Sequence, residues 1–141
     1  MKDLTEEQKI AVMRLLLDLV QADGYTDERE IKYFNMLAGI LELDKSLHAA
    51  VQQKNSLLAL VEIDRFPEIR KREFALIMGK MIVADEQIHY KEVEIYNAIR
   101  HFCNLDLTIN EALEDIPLLE WMEDEWSVCE QPDEKELDLV Q

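Results

Sequence analysis

The sequence predicts an all-α protein, a helical bundle of two repeated helical hairpins with pseudo-two-fold symmetry. Only three Gly and three Pro occur in 141 residues, which suits helices joined by short turns and argues against a sandwich or barrel. Residues 12–44 and 74–106 also align without a gap at an offset of 62 positions. Each copy reads as an apolar helix, a short turn beginning Ala-Asp and an amphipathic helix, which is the pattern of a repeated helical hairpin.

Charge divides the chain into two regions. The formal net charge is −16, and residues 107–141 contribute twelve acidic side chains and one lysine. This charge argues against unaided binding to nucleic acid or to an anionic membrane surface. The apolar stretches are too short to cross a bilayer, so we also expect no direct membrane insertion. The two cysteines lack metal-ligand spacing, and the N-terminal residues do not resemble a signal peptide, so a cytoplasmic location is expected.

The first hairpin begins at an N-cap signature. Thr5 followed by Gln8 predicts a helix over 5–22, and its apolar positions cover more than one stripe, which indicates a central helix. Gly24 can adopt the positive φ angle that ends a helix. Asp27 and Glu30 then form a capping-box-like pair at the start of the second helix.

The connector between the copies carries weaker signals. Asp44 or Ser46 could cap a short helix that ends near Val51, and residues 57–61 could form either a short helix or an extended segment. Pro67 marks the start of the next long helix, because proline is well accommodated in a first helical turn.

The second hairpin repeats the first. A helix over 66–84 is expected to be, with 5–22, the most buried in the molecule, since both carry dense apolar runs. The basic stretch Arg70-Lys71-Arg72 near its start is interpreted as a solvated face. A turn over 85–89 and a second amphipathic helix follow.

The C-terminal quarter is predicted to extend this body. Thr108 with Glu111 forms a capping box for a helix that ends before Pro117. The segment after it, with Trp121 and Trp126 among acids, is expected to dock on the domain. The predicted division is a helical domain over 1–106, a docked extension over 107–129 and a disordered acidic tail over 130–141.

The acidic turns are the candidate functional site. In each copy an Asp is followed at +4 by a polar residue and at +7 by a Glu, so three groups could converge on a divalent cation. The six candidate ligands are Asp23, Asp27, Glu30, Asp85, His89 and Glu92. The alternative interpretation needs no metal: Asp27 and His89 are N-caps, the two glutamates close capping boxes, and the two turn aspartates accept hydrogen bonds from amides.

The first turn also resembles the second half of an EF-hand loop, with Asp23-Gly24 at its fifth and sixth positions. The leading carboxylates of such a loop are replaced by Leu19 and Gln21. A high-affinity calcium site of that design is therefore not expected. If a metal binds, the first copy should hold a hard or borderline divalent ion through oxygen atoms of Asp23, Asp27 and Glu30.

The repeated pattern of an apolar helix ending in Ala-Asp, an N-cap residue and a Glu at +7 resembles the TerB family of tellurite-resistance-associated proteins. The resemblance covers roughly 5–106 and is strongest at LLLDLVQADGYTDERE. In the second copy, Glu86 replaces the glycine and His89 replaces the acidic N-cap. The resemblance implies an all-helical bundle and a metal-linked or stress-linked accessory protein.

Two functions from different classes are compatible with the sequence. One is a non-enzymatic accessory protein that binds a divalent cation through the acidic turns. The other is an interaction module that recruits a protein partner through its helical body and acidic tail. An enzyme is not expected, because no GxSxG, HExxH or Gly-rich phosphate-loop pattern is present.

Overall fold

A computed structural model describes residues 3–22, 24, 27–84 and 88–115. Within these ranges the chain forms helices and turns and no strand, which confirms the all-α class. The helices are α1 (Glu6–Val20), α2 (Glu28–Ile40), α3 (His48–Gln53), α4 (Ser56–Asp64), α5 (Glu68–Ile82), α6 (Tyr90–Cys103) and α7 (Ile109–Asp115), with a 3₁₀ turn (Lys45–Leu47) before α3.

Helix α1 lies at the centre of the bundle and contacts α2, α3, α4, α5 and α6. Its predicted capping box forms: the Gln8 amide donates to Thr5 Oγ1 (3.2 Å), and the Thr5 amide donates to Gln8 Oε1 (2.9 Å). Among the described helices, α1 and α5 have the most buried positions, as the sequence predicts. Their apolar residues surround most of the helix circumference, so neighbours pack on several sides.

The connector is helical. The Asp44 carboxylate accepts a hydrogen bond from the Ser46 amide (3.0 Å) and caps the 3₁₀ turn. The Asn55 side chain accepts one from the Leu58 amide (3.1 Å) and caps α4. Of the two alternatives for 57–61, the helix is therefore the one that forms, because Asn55 supplies the N-cap.

The local structure of the two copies follows the 62-residue offset. Helix α5 has the same length and equivalent bounds to α1. A left-handed residue follows each of α2 and α6, at Glu42 and Asn104, each with φ 57°. The next residue of each copy then closes the helix end with a bond to the carbonyl five positions back: Leu43 to Ala38 (2.9 Å) and Leu105 to Arg100 (3.0 Å). A two-fold relation between the hairpins in space stays a prediction.

The basic stretch at the start of α5 is a solvated face only at Arg72, which is exposed. Arg70 pairs with Asp3 (2.9 Å) and with Glu73. Lys71 is only 6% exposed, and its ammonium lies 3.4 Å from Asp64. The prediction is wrong for Lys71, because α5 directs this side chain inward, toward the end of α4.

Helix α7 packs mainly on α5. The predicted capping box forms, with Thr108 and Glu111 exchanging amide-to-side-chain bonds of 3.2 Å. A Cβ atom at Gly79 would lie 3.4 Å from the Ala112 side chain, so the glycine permits this close approach. The predicted docked segment around Trp121 and Trp126 and the acidic tail over 130–141 lie outside the described residues.

Two side chains of α6, Tyr96 and Cys103, donate hydrogen bonds to backbone carbonyl oxygens outside the helix. The Tyr96 hydroxyl donates to the Leu107 carbonyl oxygen (2.7 Å), and burial raises the pKa of Tyr96 to about 12. Cys103 Sγ donates to the Leu60 carbonyl oxygen (3.3 Å), and burial, with a smaller contribution from the charge of Asp64, raises the pKa of its thiol to about 11. Cys103 is thus a buried thiol of the core.

These pKa shifts predict a loss of stability at alkaline pH. A thiol that holds its proton more tightly when folded stabilises the protein below its ordinary pKa of 9.0, and this contribution disappears as pH rises through about 11. We expect the free energy of unfolding, measured by urea titration, to fall between pH 9 and 11. The fall should be shallower in Cys103→Ala. Equal slopes for the two proteins would contradict the assignment.

Candidate metal centre

Three of the six predicted ligands converge in the folded protein. Glu30, His89 and Glu92 each offer a ligand atom, and the three atoms lie within 4.8 Å of one another. The two glutamates are each 1% exposed, and the imidazole side chain is 24% exposed. A buried pair of carboxylates beside a partly accessible imidazole is a donor set suited to a divalent cation.

Helix starts position this cluster. Glu30 is the third residue of α2, and Glu92 is the third residue of α6. The two positions are equivalent in the sequence repeat, so each hairpin supplies one carboxylate from the same place. Both acids lie at the positive end of a helix, where a negative charge is favoured.

The second copy departs from the predicted capping scheme. His89 occupies the N-cap position of α6, but its side chain makes no capping hydrogen bond. Its Nε2 atom instead lies 4.0 Å from Glu92 Oε1. The imidazole is therefore directed toward the carboxylate cluster.

Asp27 has the structural role that the metal-free interpretation assigned to it. Its carboxylate accepts a hydrogen bond of 2.7 Å from the Arg29 amide and caps α2. Asp23 and Asp85 lie outside the described residues. Among the described residues, the ligand atoms that lie together come from both copies, and a site within the first turn, which includes Asp23, stays a prediction. The two copies meet here because Glu30 points inward from α2 toward the start of α6.

The side chain of Tyr33, which lies near the cluster in the sequence of α2, adds no charge to it. Tyr33 follows Glu30 by one helical turn and is fully buried. Burial raises the pKa of Tyr33 well above its usual value. The side chain of Tyr33 therefore stays neutral at physiological pH.

The capping role of Asp27 is testable. We expect Asp27→Ala to lower the free energy of unfolding by about 1 kcal/mol, since a lost N-cap leaves α2 amides without a partner. Asp27→Asn is the matched control and should be close to wild type, because an asparagine oxygen caps equally well. Urea denaturation measures both. Loss of the cation response in Asp27→Asn would instead show that this carboxylate is a ligand.

Comparisons with known proteins bear on the fold. No protein-family model matches the sequence, and no curated protein matches it significantly. The structure is similar to the crystal structure of a protein of unknown function from Porphyromonas gingivalis W83. The two share 20% sequence identity with a TM-score of 0.64, over 80% of this chain and 97% of the other. This likeness shows a shared helical fold.

No described helix is long and apolar enough to cross a membrane.

Proposed function

We propose that this protein is a non-enzymatic accessory protein that binds one divalent transition-metal ion through Glu30, His89 and Glu92. One observation carries the proposal: two glutamates from equivalent repeat positions, each 1% exposed, and an imidazole each place a ligand atom within 4.8 Å of the other two. A purely structural cap would not require the two acids to meet.

Electrostatics favours a cation between these acids. Two ionised carboxylates whose ligand atoms lie within 4.8 Å of each other repel by about 3.5 kcal/mol or more at an effective dielectric constant of roughly 20. Repulsion of that size exceeds the contribution of an ordinary surface salt bridge, about 0–1 kcal/mol. A divalent ion between Glu30 and Glu92 replaces the repulsion by two attractions.

The donor set favours some ions over others. Imidazole nitrogen is a good ligand for zinc and related first-row metals, whereas calcium and magnesium prefer oxygen ligands alone. Donors on one tetrahedral zinc ion lie roughly 3.4 Å apart, given metal–ligand distances of about 2.1 Å. Small side-chain rotations of the three residues would bring the cluster to that spacing. Three protein ligands also leave a coordination position for water.

The resemblance to the TerB family supports a biological setting for such a site. That family is associated with tellurite resistance, so we place this protein in a cytoplasmic metal or stress response. The buried cluster suits retention of an ion more than rapid exchange, because two of its ligands are inaccessible to solvent.

Calorimetric titration tests the proposal. We expect saturable binding of one Zn²⁺ per chain, weaker binding of Mn²⁺, and affinities for Ca²⁺ and Mg²⁺ at least tenfold lower than for Zn²⁺. Glu92→Gln should weaken zinc binding at least tenfold. Glu94→Gln, on the same helix, removes the same charge outside the cluster and should bind like wild type. Zinc binding that is equal in Glu92→Gln and wild type would overturn the site.

A second candidate function is a module that recruits a basic protein partner. The net charge of −16 and two exposed leucines on α4, Leu57 and Leu58, favour it. Such a module requires no metal. Absence of saturable cation binding, together with salt-sensitive association with a basic protein, would select this function over the first.

A further inference from the structure

The 62-residue repeat continues beyond the two hairpins. Helix α3 follows the first hairpin and packs on α1, and α7 follows the second hairpin and packs on α5. Both helices occupy equivalent positions to within one residue, since α3 ends at residue 53 and α7 ends at residue 115. Two connecting residues then lead from α3 to α4. The segment equivalent to α4 is therefore 118–126, and it follows Pro117, a residue suited to the start of a helix.

Helix α2 is buried more deeply than its described neighbours account for. Among the described helices it packs mainly on α1 and α5, whereas its equivalent, α6, packs on α1, α4, α5 and α7. Even so, α2 buries eight of its 13 residues and α6 buries four of its 14. Ile40 is 3% exposed, whereas its equivalent, Phe102, is 41% exposed. A further segment is needed to cover α2, and beyond the described positions only 116–141 is long enough.

Helix α4 shows how such a segment can pack. Arg14 Nε of α1 donates to Ser56 Oγ (3.2 Å), and Ser56 Oγ donates to Asp18 Oδ2 (2.7 Å). Ala59 is fully buried, and Leu60 lines a groove against α6. These three residues of α4 thus lie on the face that meets α1 and α6.

The C-terminal segment carries apolar side chains at the equivalent positions. Leu118, Trp121 and Met122 take the places of the three α4 residues, and their i, i+3, i+4 spacing puts them on one face of a helix. On α5, Leu76 takes the place of Arg14 and is 3% exposed. The polar contact between α1 and α4 therefore corresponds to an apolar pair, Leu76 and Leu118, in the second half of the chain.

We infer that residues 118–124 form a helix that docks on α2 and α5, in the place that α4 takes on α6 and α1. Leu118 contacts Leu76 of α5. Met122 packs on the face of α2 that includes Ile40, and this contact excludes water from that face. The docked helix needs no metal ion and is independent of the proposed metal site.

The charges of the segment fit this orientation. Glu120, Glu123 and Asp124 lie on the side of the helix opposite Leu118, so they face solvent. Glu125 stands where α4 has the buried Ile63, and the correspondence with α4 therefore ends at residue 124. The bound segment covers an apolar surface and replaces it with an acidic one.

A double-mutant cycle tests the contact with α5. Leu76→Ala and Leu118→Ala should each lower the urea midpoint of unfolding, and the double variant should lower it by less than the sum, because the two side chains share one contact. Leu119→Ala is the matched control, since Leu119 is the equivalent of Leu57, which is 57% exposed. Its effect should add to that of Leu76→Ala. Additive effects in both pairs, or equal coupling in both, would overturn the inference.

Hydrogen exchange of the full chain tests the contact with α2. Met122→Gln should speed amide exchange in α2 at least tenfold and change exchange in α6 less than twofold, because the docked segment covers α2 alone. Glu123→Gln alters the adjacent, outward-facing residue and should exchange like wild type. Unaltered exchange in α2, or an equal rise in α2 and α6, would contradict docking at this surface. A rise confined to α6 would place the segment in the groove beside Phe102 and would also overturn the inference.

Discussion

Zinc at one hundred times its dissociation constant is expected to raise the melting temperature of the wild-type protein by about 8 °C and to leave Glu30→Gln unchanged. Ligand at that concentration stabilises a folded protein by about 2.7 kcal/mol. A domain of this size gains roughly 3 °C per kcal/mol. Differential scanning calorimetry with and without Zn²⁺ measures the shift.

The same variant should behave in the opposite way without metal. Glu30→Gln removes one of two carboxylates whose ligand atoms lie within 4.8 Å, so it is expected to be at least as stable as wild type in the presence of a chelator. Glu28→Gln is the matched control, since it removes an exposed acid from the same turn of α2 and should keep the full zinc response. A Glu30→Gln protein that is destabilised equally with and without zinc would show a structural role for this side chain.

The second large effect concerns the centre of the bundle. Leu16→Ala is expected to lower the free energy of unfolding by about 2–5 kcal/mol, because it removes a fully buried side chain and leaves a cavity. Leu58→Ala makes the same chemical change at a position that is 57% exposed. It should cost less than about 0.5 kcal/mol.

Urea denaturation of the two leucine variants gives a direct comparison. Leu16 lies in α1, which contacts five other helices, so the surroundings have little freedom to close the cavity. Similar losses in the two variants would mean that the α4 surface is covered by another part of the chain or by a second molecule.

Local signals explain most of what the sequence predicts correctly. Thr5 with Gln8 and Thr108 with Glu111 form the expected capping boxes, since the atoms involved are three residues apart. The segment 57–61 was ambiguous because its short apolar run is compatible with either a helix or an extended segment. The side-chain cap from Asn55 decides in favour of the helix.

Long-range packing accounts for what the sequence did not predict. The six site candidates were grouped by turn, because spacing along the chain was the available guide. The described structure groups Glu30 with His89 and Glu92, and such a contact depends on how two hairpins meet. The equivalence of the two glutamates in the repeat was the signal that could have suggested it. Lys71 was misplaced for a related reason, since three adjacent basic residues do not reveal which of them points inward.

The separation of the ligands along the chain gives an ion at this site an unusual mechanical role. In an EF-hand the ligands lie within twelve residues, so the ion orders one loop. Here Glu30 and Glu92 are 62 positions apart, and an ion bound to both would close a loop of the chain that contains most of α2 and all of α3, α4 and α5. By the chain-entropy model for cross-links, closure of about sixty residues restricts the unfolded chain by about 4 kcal/mol. The ion would thus act as a removable cross-link, similar in reach to a disulfide, and its release would remove this restriction from the unfolded chain.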